Sequence, residues 1–243
     1  MFRHKGKFRT FAHDLRLAIL LSFVAGLVNI TGVLALKTLT TNVTGHFAFF
    51  AEEIMRHDYA TAATFFIFTL FFLLGSFLSS FLQELISLKS PDLSHIFPIT
   101  LEMVILITVG IFGTTTGLFN LDGKLTAFFM LLSMGIQNSL VTNISKATVR
   151  TTHLTGLFTD LGIELSQLFF YKKPEEVKKL RTSIFLRLSI ITFFFLGCFS
   201  GGISYQFFEM KTLFIAVFVL LIAQWYDFLR LKFHVIKRKT FHR

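Results

Sequence analysis

The sequence is poor in charged side chains, and this scarcity excludes a water-soluble fold. Only 16% of its 243 residues are Asp, Glu, Lys or Arg, whereas a soluble domain carries roughly a quarter. Hydrophobic residues make up 53%, with 34 Phe, and the mean hydropathy is +0.67. Because such a chain cannot cover a globule in polar surface, we predict an all-α, polytopic bundle of transmembrane helices. Residues 1–243 then form a single integral membrane domain in the lipid bilayer.

The sequence also lacks the usual signatures of an enzyme or a metalloprotein. Its one cysteine, Cys198, lies inside an apolar run and can form neither a disulfide within the chain nor a cysteine-based metal site. Phosphate-binding loops, zinc-ligand spacings and the serine-hydrolase and zinc-protease motifs are missing. We therefore expect no catalytic residues, no bound metal and no cofactor.

Positive charge is concentrated in three short segments, although the net charge of +10 is high. They are the tail 1–14, the linker Lys172–Arg181 and the tail 230–243. No base-reading motif accompanies them, so we expect no binding of nucleic acid. Short basic flanks of membrane helices lie in the cytoplasm. This rule places both termini and the linker there and requires an even number of crossings.

Six stretches are long and apolar enough to cross a bilayer, which takes about 20 residues. They are Leu17–Leu36, Tyr59–Gln83, Met103–Leu121, Leu125–Ser145, Leu188–Phe208 and Thr212–Leu229. Two shorter apolar pieces, Val43–Met55 and Thr155–Phe170, carry acidic residues. They are either short crossing helices or re-entrant helices, so the sequence allows eight or six crossings.

The two halves of the chain, about 15–121 and 125–229, contain the same motif. Each has G-x-x-N followed by T-T-x-x-T-G and then matched Phe and Glu residues. The first half supplies Gly26, Asn29, Thr40, Thr41, Thr44, Gly45, Phe47 and Glu53; the second supplies Gly135, Asn138, Thr151, Thr152, Thr155, Gly156, Phe158 and Glu164. We infer a two-fold internal repeat, inverted if the chain crosses six times and parallel if it crosses eight times.

The matched polar residues are the candidate substrate-binding residues. A Thr-rich break before an apolar helix suits a helix start, whose free N–H groups can hold an anion. Broken helices at matched positions of two halves are typical of transport sites. The alternative is that the threonines only cap helices and that the two asparagines only join helices. The candidates are Asn29, Thr41, Thr44, Gly45, Asn138, Thr152, Thr155 and Gly156.

Three acids are candidates for coupling to protons or cations. Asp160 and Glu164 are four residues apart and so share one helix face, and Glu53 matches Glu164 in the first half. Acids within a membrane usually face a cavity or a partner, and Arg150 and Arg187 are the candidate partners. The alternative is that these acids merely lie at the membrane interface.

The same motifs resemble the YoaK family of bacterial inner-membrane proteins, which carry a domain of unknown function. The resemblance covers about 15–228, and one position departs from it, since Asn commonly follows Thr-Gly in the family and His46 stands there here. It implies a multi-pass protein of the bacterial inner (plasma) membrane without a settled substrate. The motifs are Ser22–Asn29, Thr44–Gly45, Met134–Asn138 and Val149–Gly156.

Two functions compete, ahead of a membrane-embedded enzyme, which lacks a reactive cluster, and of a channel, whose pore lining is not readable from the sequence. The repeat and its broken helices favour a small secondary transporter or permease for an unknown small solute or ion. The alternative is a non-transporting scaffold or partner subunit of a membrane complex. A homodimer is compatible with a bundle of this size, although nothing in the sequence requires one.

Overall fold

The computed structural model describes residues 10–113 and 122–240, and these residues form helices and turns without a β-strand. Two short 3-10 turns, Pro91–Leu93 and Glu209–Thr212, interrupt the α-helices. The all-α prediction is therefore confirmed over the described residues. The α-helices are α1 Phe11–Leu36, α2 Val43–Met55, α3 Tyr59–Ser87, α4 Ile96–Phe112, α5 Gly123–Ser145, α6 Leu154–Gln167, α7 Pro174–Phe208 and α8 Leu213–Thr240.

Four helical segments of the described chain are long and apolar enough to cross a membrane, where six stretches were predicted. Three are α1, α3 and α5, and the fourth, Pro174–Tyr226, contains α7 and the start of α8. Helix α4 has only 17 residues, and residues 114–121 of the stretch predicted there lie outside the described residues. The fourth segment has 53 residues. At 1.5 Å per residue its helices add up to about 80 Å, whereas the hydrocarbon core is roughly 30 Å thick. The segment is therefore too long for a single crossing.

The long helices run in two opposite directions. Helices α1 and α7 are parallel, since Phe11 lies 6.3 Å from Phe185 between ring centroids and Ile30 lies beside Gly201. Helix α8 returns beside them, because Arg16 near the start of α1 donates to the Tyr226 hydroxyl of α8 at 3.1 Å. The chain therefore reverses at the 3-10 turn between α7 and α8, where Glu209 has a φ of 48°.

Helices α3 and α5 run parallel to each other and antiparallel to α1. Asn143 donates to Ser80 at 3.3 Å, and further up the pair the rings of Phe68 and Phe128 lie 5.3 Å apart. Gln137 of α5 donates to the Leu21 carbonyl of α1 at 2.8 Å. The ends confirm this opposite direction, because Leu36 at the end of α1 is the neighbour of Gly123 at the start of α5.

The short helices α2 and α6 begin partway along the long helices. After α1 the chain turns back at Lys37, whose φ is 54°, and returns to the level of Asn29 before α2 starts. After α5 it turns back at Lys146 and Ala147, with φ values of 51° and 62°, before α6 starts. Helix α2 then packs mainly on α3, and α6 packs mainly on α7.

Two helix crossings allow direct contact of backbones because glycine lies on both sides. At the α1–α7 crossing, a Cβ on Gly26 would overlap the carbonyl oxygen of Phe194, and a Cβ on Gly197 would overlap that of Phe23. The α3–α5 crossing has the same form: Gly75 faces the Leu132 carbonyl and Gly135 faces that of Phe72. Small residues let membrane helices approach closely and pack by van der Waals contact, because the hydrophobic effect does not drive helices together within lipid.

Candidate functional site

Asn29 connects α1 to the segment that starts α2. Its side-chain Oδ1 accepts from the backbone N–H of Thr40 and from the hydroxyl of Thr41, both at 3.1 Å. The Asn42 side chain then caps α2 by accepting from the Gly45 N–H at 3.0 Å. An asparagine inside a membrane helix needs such partners because lipid offers none. Its Nδ2 donates to none of the described residues.

Asn138 plays the matching part in the second half. Its Oδ1 accepts from the Thr152 hydroxyl at 3.0 Å, just before α6 begins. Here again the amide oxygen is occupied, while Nδ2 has no acceptor in the described part of the chain. The sequence repeat matched Asn29 to Asn138 and Thr41 to Thr152, and each asparagine is joined to the threonine of its own half by a hydrogen bond.

The starts of α2 and α6 line one cavity of about 1210 Å³. Apolar side chains of α3 and α7 complete its wall, among them Phe72 and Phe194. The cavity brings together all eight predicted substrate-binding residues, together with one of the predicted coupling acids, Asp160. These residues are Asn29, Thr41, Thr44, Gly45, Asn138, Thr152, Thr155, Gly156 and Asp160.

Several polar groups that remain free around this cavity are hydrogen-bond donors. His153 is the N-cap of α6 but makes no side-chain cap, and the first-turn N–H groups of Leu154, Thr155 and Gly156 find no acceptor among the described residues. A helix start also carries a partial positive charge. The lining is therefore suited to a ligand that presents acceptor atoms, such as the oxygens of a small anion.

Two of the predicted coupling acids share one arginine. The Arg187 guanidinium binds Glu164 through two hydrogen bonds, at 2.9 and 3.1 Å, and binds Asp160 at 2.9 Å. Ser183 donates to the same Glu164 carboxylate at 2.6 Å. Of the two predicted partners, Arg187 is thus the one that the structure pairs with these acids, and Arg150 has no ion pair within the described ranges.

The structure does not bring Glu53 into this cavity. Glu53 lies near the end of α2, where its carboxylate is 3.4 Å from Arg56. His46, the residue that departs from the family pattern, is buried against α3: its Nε2 is 2.8 Å from the Leu39 carbonyl oxygen and its ring lies 5.2 Å from that of Phe68. His46 therefore takes part in packing α2.

The sequence reasoning missed a second matched motif, in the walls of the cavity. Residues 71–77 read FFLLGSF and residues 193–199 read FFFLGCF. In the structure Ser76 donates to the Gly135 carbonyl at 3.1 Å, and Cys198 donates to the Gly26 carbonyl at 3.2 Å. Cys198 thus forms a contact between helices, whereas the sequence indicated only that it lies inside an apolar run. Comparing the third helix of each half would have revealed the pattern.

Four apolar helical segments long enough to cross a bilayer define the chain as a helical membrane protein. It belongs to the family described as "Protein of unknown function (DUF1275)", whose model matches residues 17–225. YoaK-type proteins are members of this family, so the predicted resemblance is confirmed. No curated protein and no solved structure matches the chain.

Proposed function

We propose that the protein is a small secondary transporter that binds its solute between the starts of α2 and α6. The observation that carries this proposal is the cavity of about 1210 Å³ that all eight matched polar residues line. Transporters with repeated halves commonly bind substrate at broken helices where the halves meet. The proposal places the protein in the bacterial inner membrane and assigns it no catalytic role.

The helix directions support six crossings with inverted halves. If α2 and α6 enter and leave on one side, then α1, α3, α4, α5, α7 and α8 each cross once. The antiparallel course of α1 and α5, the first helices of the two halves, is the relation expected of an inverted repeat. The matched contacts Ser76–Gly135 and Cys198–Gly26 support the same two-fold relation. Both termini then lie on one side, and the basic tails favour the cytoplasm.

The free donors of the cavity favour a solute with acceptor atoms. The amide Nδ2 groups of Asn29 and Asn138 and the first-turn N–H groups of α6 are oriented by bonds within each half. A small anion, or a neutral solute rich in oxygen, fits this chemistry better than a metal cation, which requires acceptor ligands.

Transport can be tested in proteoliposomes with a panel of solutes, although the substrate is unknown. Swelling of the vesicles after an osmotic step is followed by light scattering for small anions, small neutral solutes and inorganic cations. We expect faster swelling than in protein-free vesicles for at least one anion or oxygen-rich solute. The double variant Asn29→Ala, Asn138→Ala should lose most of this gain.

The matched control is Asn143→Ala. Asn143 lies on α5 as Asn138 does, but it bonds Ser80 and lies outside the cavity lining. It should leave the swelling rate unchanged. If no solute in the panel moves faster than through protein-free vesicles, the transport proposal fails and the scaffold alternative takes its place.

A further inference from the structure

The Asp160–Arg187 ion pair lies between two cavities. We call the cavity of about 1210 Å³ between the starts of α2 and α6 the central cavity. A smaller cavity of about 370 Å³ is lined by Arg150 and Arg187, on the side of the bundle where α5 ends and α7 begins. Asp160, His153 and Gly156 line both cavities. The start of α1 lies on this same side, because Phe11 packs against Phe185. The ion pair thus stands between the central cavity and the side that carries the N-terminus.

The matching contact in the first half is apolar. The repeat pairs Asp160 with Phe49, and the FFxLGxF match pairs Arg187 with Phe65. Phe49 and Phe65 pack with ring centroids 5.2 Å apart, so aromatic rings join α2 to α3 where an ion pair joins α6 to α7. Each short helix packs mainly on its one long neighbour. The two short helices are therefore held by contacts of different chemistry.

The two kinds of contact respond differently to charge. Asp160 is 50% exposed and Arg187 is 22% exposed, so water and solutes in the cavities can reach the pair. The Glu164 side chain is only 13% exposed and binds the other edge of the same guanidinium. It therefore keeps Arg187 in place when the Asp160–Arg187 bond breaks. An aromatic contact offers no such exchange of partners, since it depends on apolar burial.

We infer that the Asp160–Arg187 pair is the gate between the central cavity and the side of the N-terminus. Breaking the pair opens the boundary between the two cavities beside Asp160, while Glu164 still joins α6 to α7 and the Phe49–Phe65 contact keeps α2 fixed on α3. Glu164 acts as a positioning residue, because it orients the guanidinium without facing the central cavity. This inference rests on the proposed transport function.

The gate can be tested by the access of a thiol reagent to the cavity. Cys198→Ser removes the one native thiol and keeps a donor like Ser76, and Thr155→Cys then places a single thiol in the lining of the central cavity. A membrane-impermeant maleimide is applied to membranes that expose the N-terminal side. We expect Asp160→Asn and Arg187→Gln to raise the labelling rate about tenfold, as the loss of charged hydrogen bonds implies.

The matched control is Arg150→Gln, which removes a charge from the same small cavity without breaking an ion pair. The single-thiol protein with Arg150→Gln should react with the maleimide at the same rate as its parent. Asp160→Asn keeps the Arg187–Glu164 bonds, so it tests the gate even if Arg187→Gln does not fold. Equal labelling of Asp160→Asn, Arg150→Gln and the parent would overturn the gate.

Labelling needs no substrate, so the gate and the transport proposal can fail separately. Faster labelling in Asp160→Asn together with no solute flux would leave the gate standing and reject transport. Flux in the parent together with unchanged labelling would keep transport and reject this gate.

Discussion

Glu102 is a fully buried acid without hydrogen-bond partners in the described chain. It lies on α4 with no exposed surface, and neither carboxylate oxygen has a hydrogen-bond partner among the described residues. Burial of a polar group without a partner costs roughly 1–3 kcal/mol in proteins, and more if the group is charged. Glu102 is not among the residues that line the proposed binding cavity, so its energetic effect can be measured by itself.

We predict that Glu102→Met stabilises the protein. Methionine has a similar length and leaves no polar atom unpaired, so the melting temperature in detergent should rise by roughly 2–12 °C. The matched control is Glu84→Met on the exposed face of α3, which should change it little. A fall in melting temperature for Glu102→Met would mean that the carboxyl holds a ligand or proton that the fold needs.

At the scale of helices, close backbone contact should make the crossing glycines irreplaceable. A Cβ on Gly75 would overlap the Leu132 carbonyl oxygen and lie 3.1 Å from the Ile136 nitrogen. Because these are backbone atoms, α3 and α5 must separate to admit even one methyl group. We predict that Gly75→Ala destabilises the protein by roughly 1–3 kcal/mol.

Gly162→Ala is the control for this prediction and should act in the opposite direction. Gly162 lies in the middle of α6 with no atom within 4 Å of an added Cβ. Alanine favours a helix by up to about 1 kcal/mol over glycine. Thermal unfolding in detergent should therefore show a lower midpoint for Gly75→Ala and an equal or higher one for Gly162→Ala. Equal midpoints for both variants would contradict the close α3–α5 contact.

The sequence predicted the bounds of apolar helices more accurately than the bounds of helices that begin with charged turns. The bounds of α2 matched the predicted Val43–Met55, but α7 begins at Pro174, well before the predicted Leu188. Its first turns contain Lys, Arg and Glu, which favour helices as readily as they flank membranes, and Pro174 occupies a favoured first position. A search for uncharged stretches finds only the apolar part of such a helix.

The candidate site was predictable because its residues recur in both halves. The repeat matched Asn29 to Asn138 and Thr41 to Thr152 and named all four as candidates; the structure adds that the asparagine and the threonine of each half are bonded. The gate was not predictable, because Phe49 and Phe65 differ in type from Asp160 and Arg187 and do not appear as a repeat. Their equivalence follows only from the registers of the motifs around them, and the match of 71–77 with 193–199 sets that register for the third helices.

For the whole molecule, the directions of the helices favour the proposed six crossings over eight. Helices α3 and α5 are parallel, so their starts at Tyr59 and Gly123 share a side, which the attraction between Asp58 and Lys124 also indicates. Residues after their ends, such as Lys89 and Thr148, then lie on the opposite side with the start of α1. Eight crossings with parallel halves would instead require α1 and α5 to run in the same direction.

We predict the matching pattern of labelling in intact cells. With Cys198→Ser as background, the single variants Tyr59→Cys and Asp122→Cys should react with an impermeant maleimide added outside. Lys89→Cys and Thr148→Cys should react only after the membrane is made permeable, because the positive-inside rule predicts that the side of the basic tails is cytoplasmic. With the N-terminus cytoplasmic, labelling of Lys89→Cys and Thr148→Cys in intact cells, with Tyr59→Cys and Asp122→Cys protected, would mean that α2 and α6 cross the membrane. The starts of α2 and α6 could not then meet at one central cavity, and both the transport site and its gate would have to be abandoned.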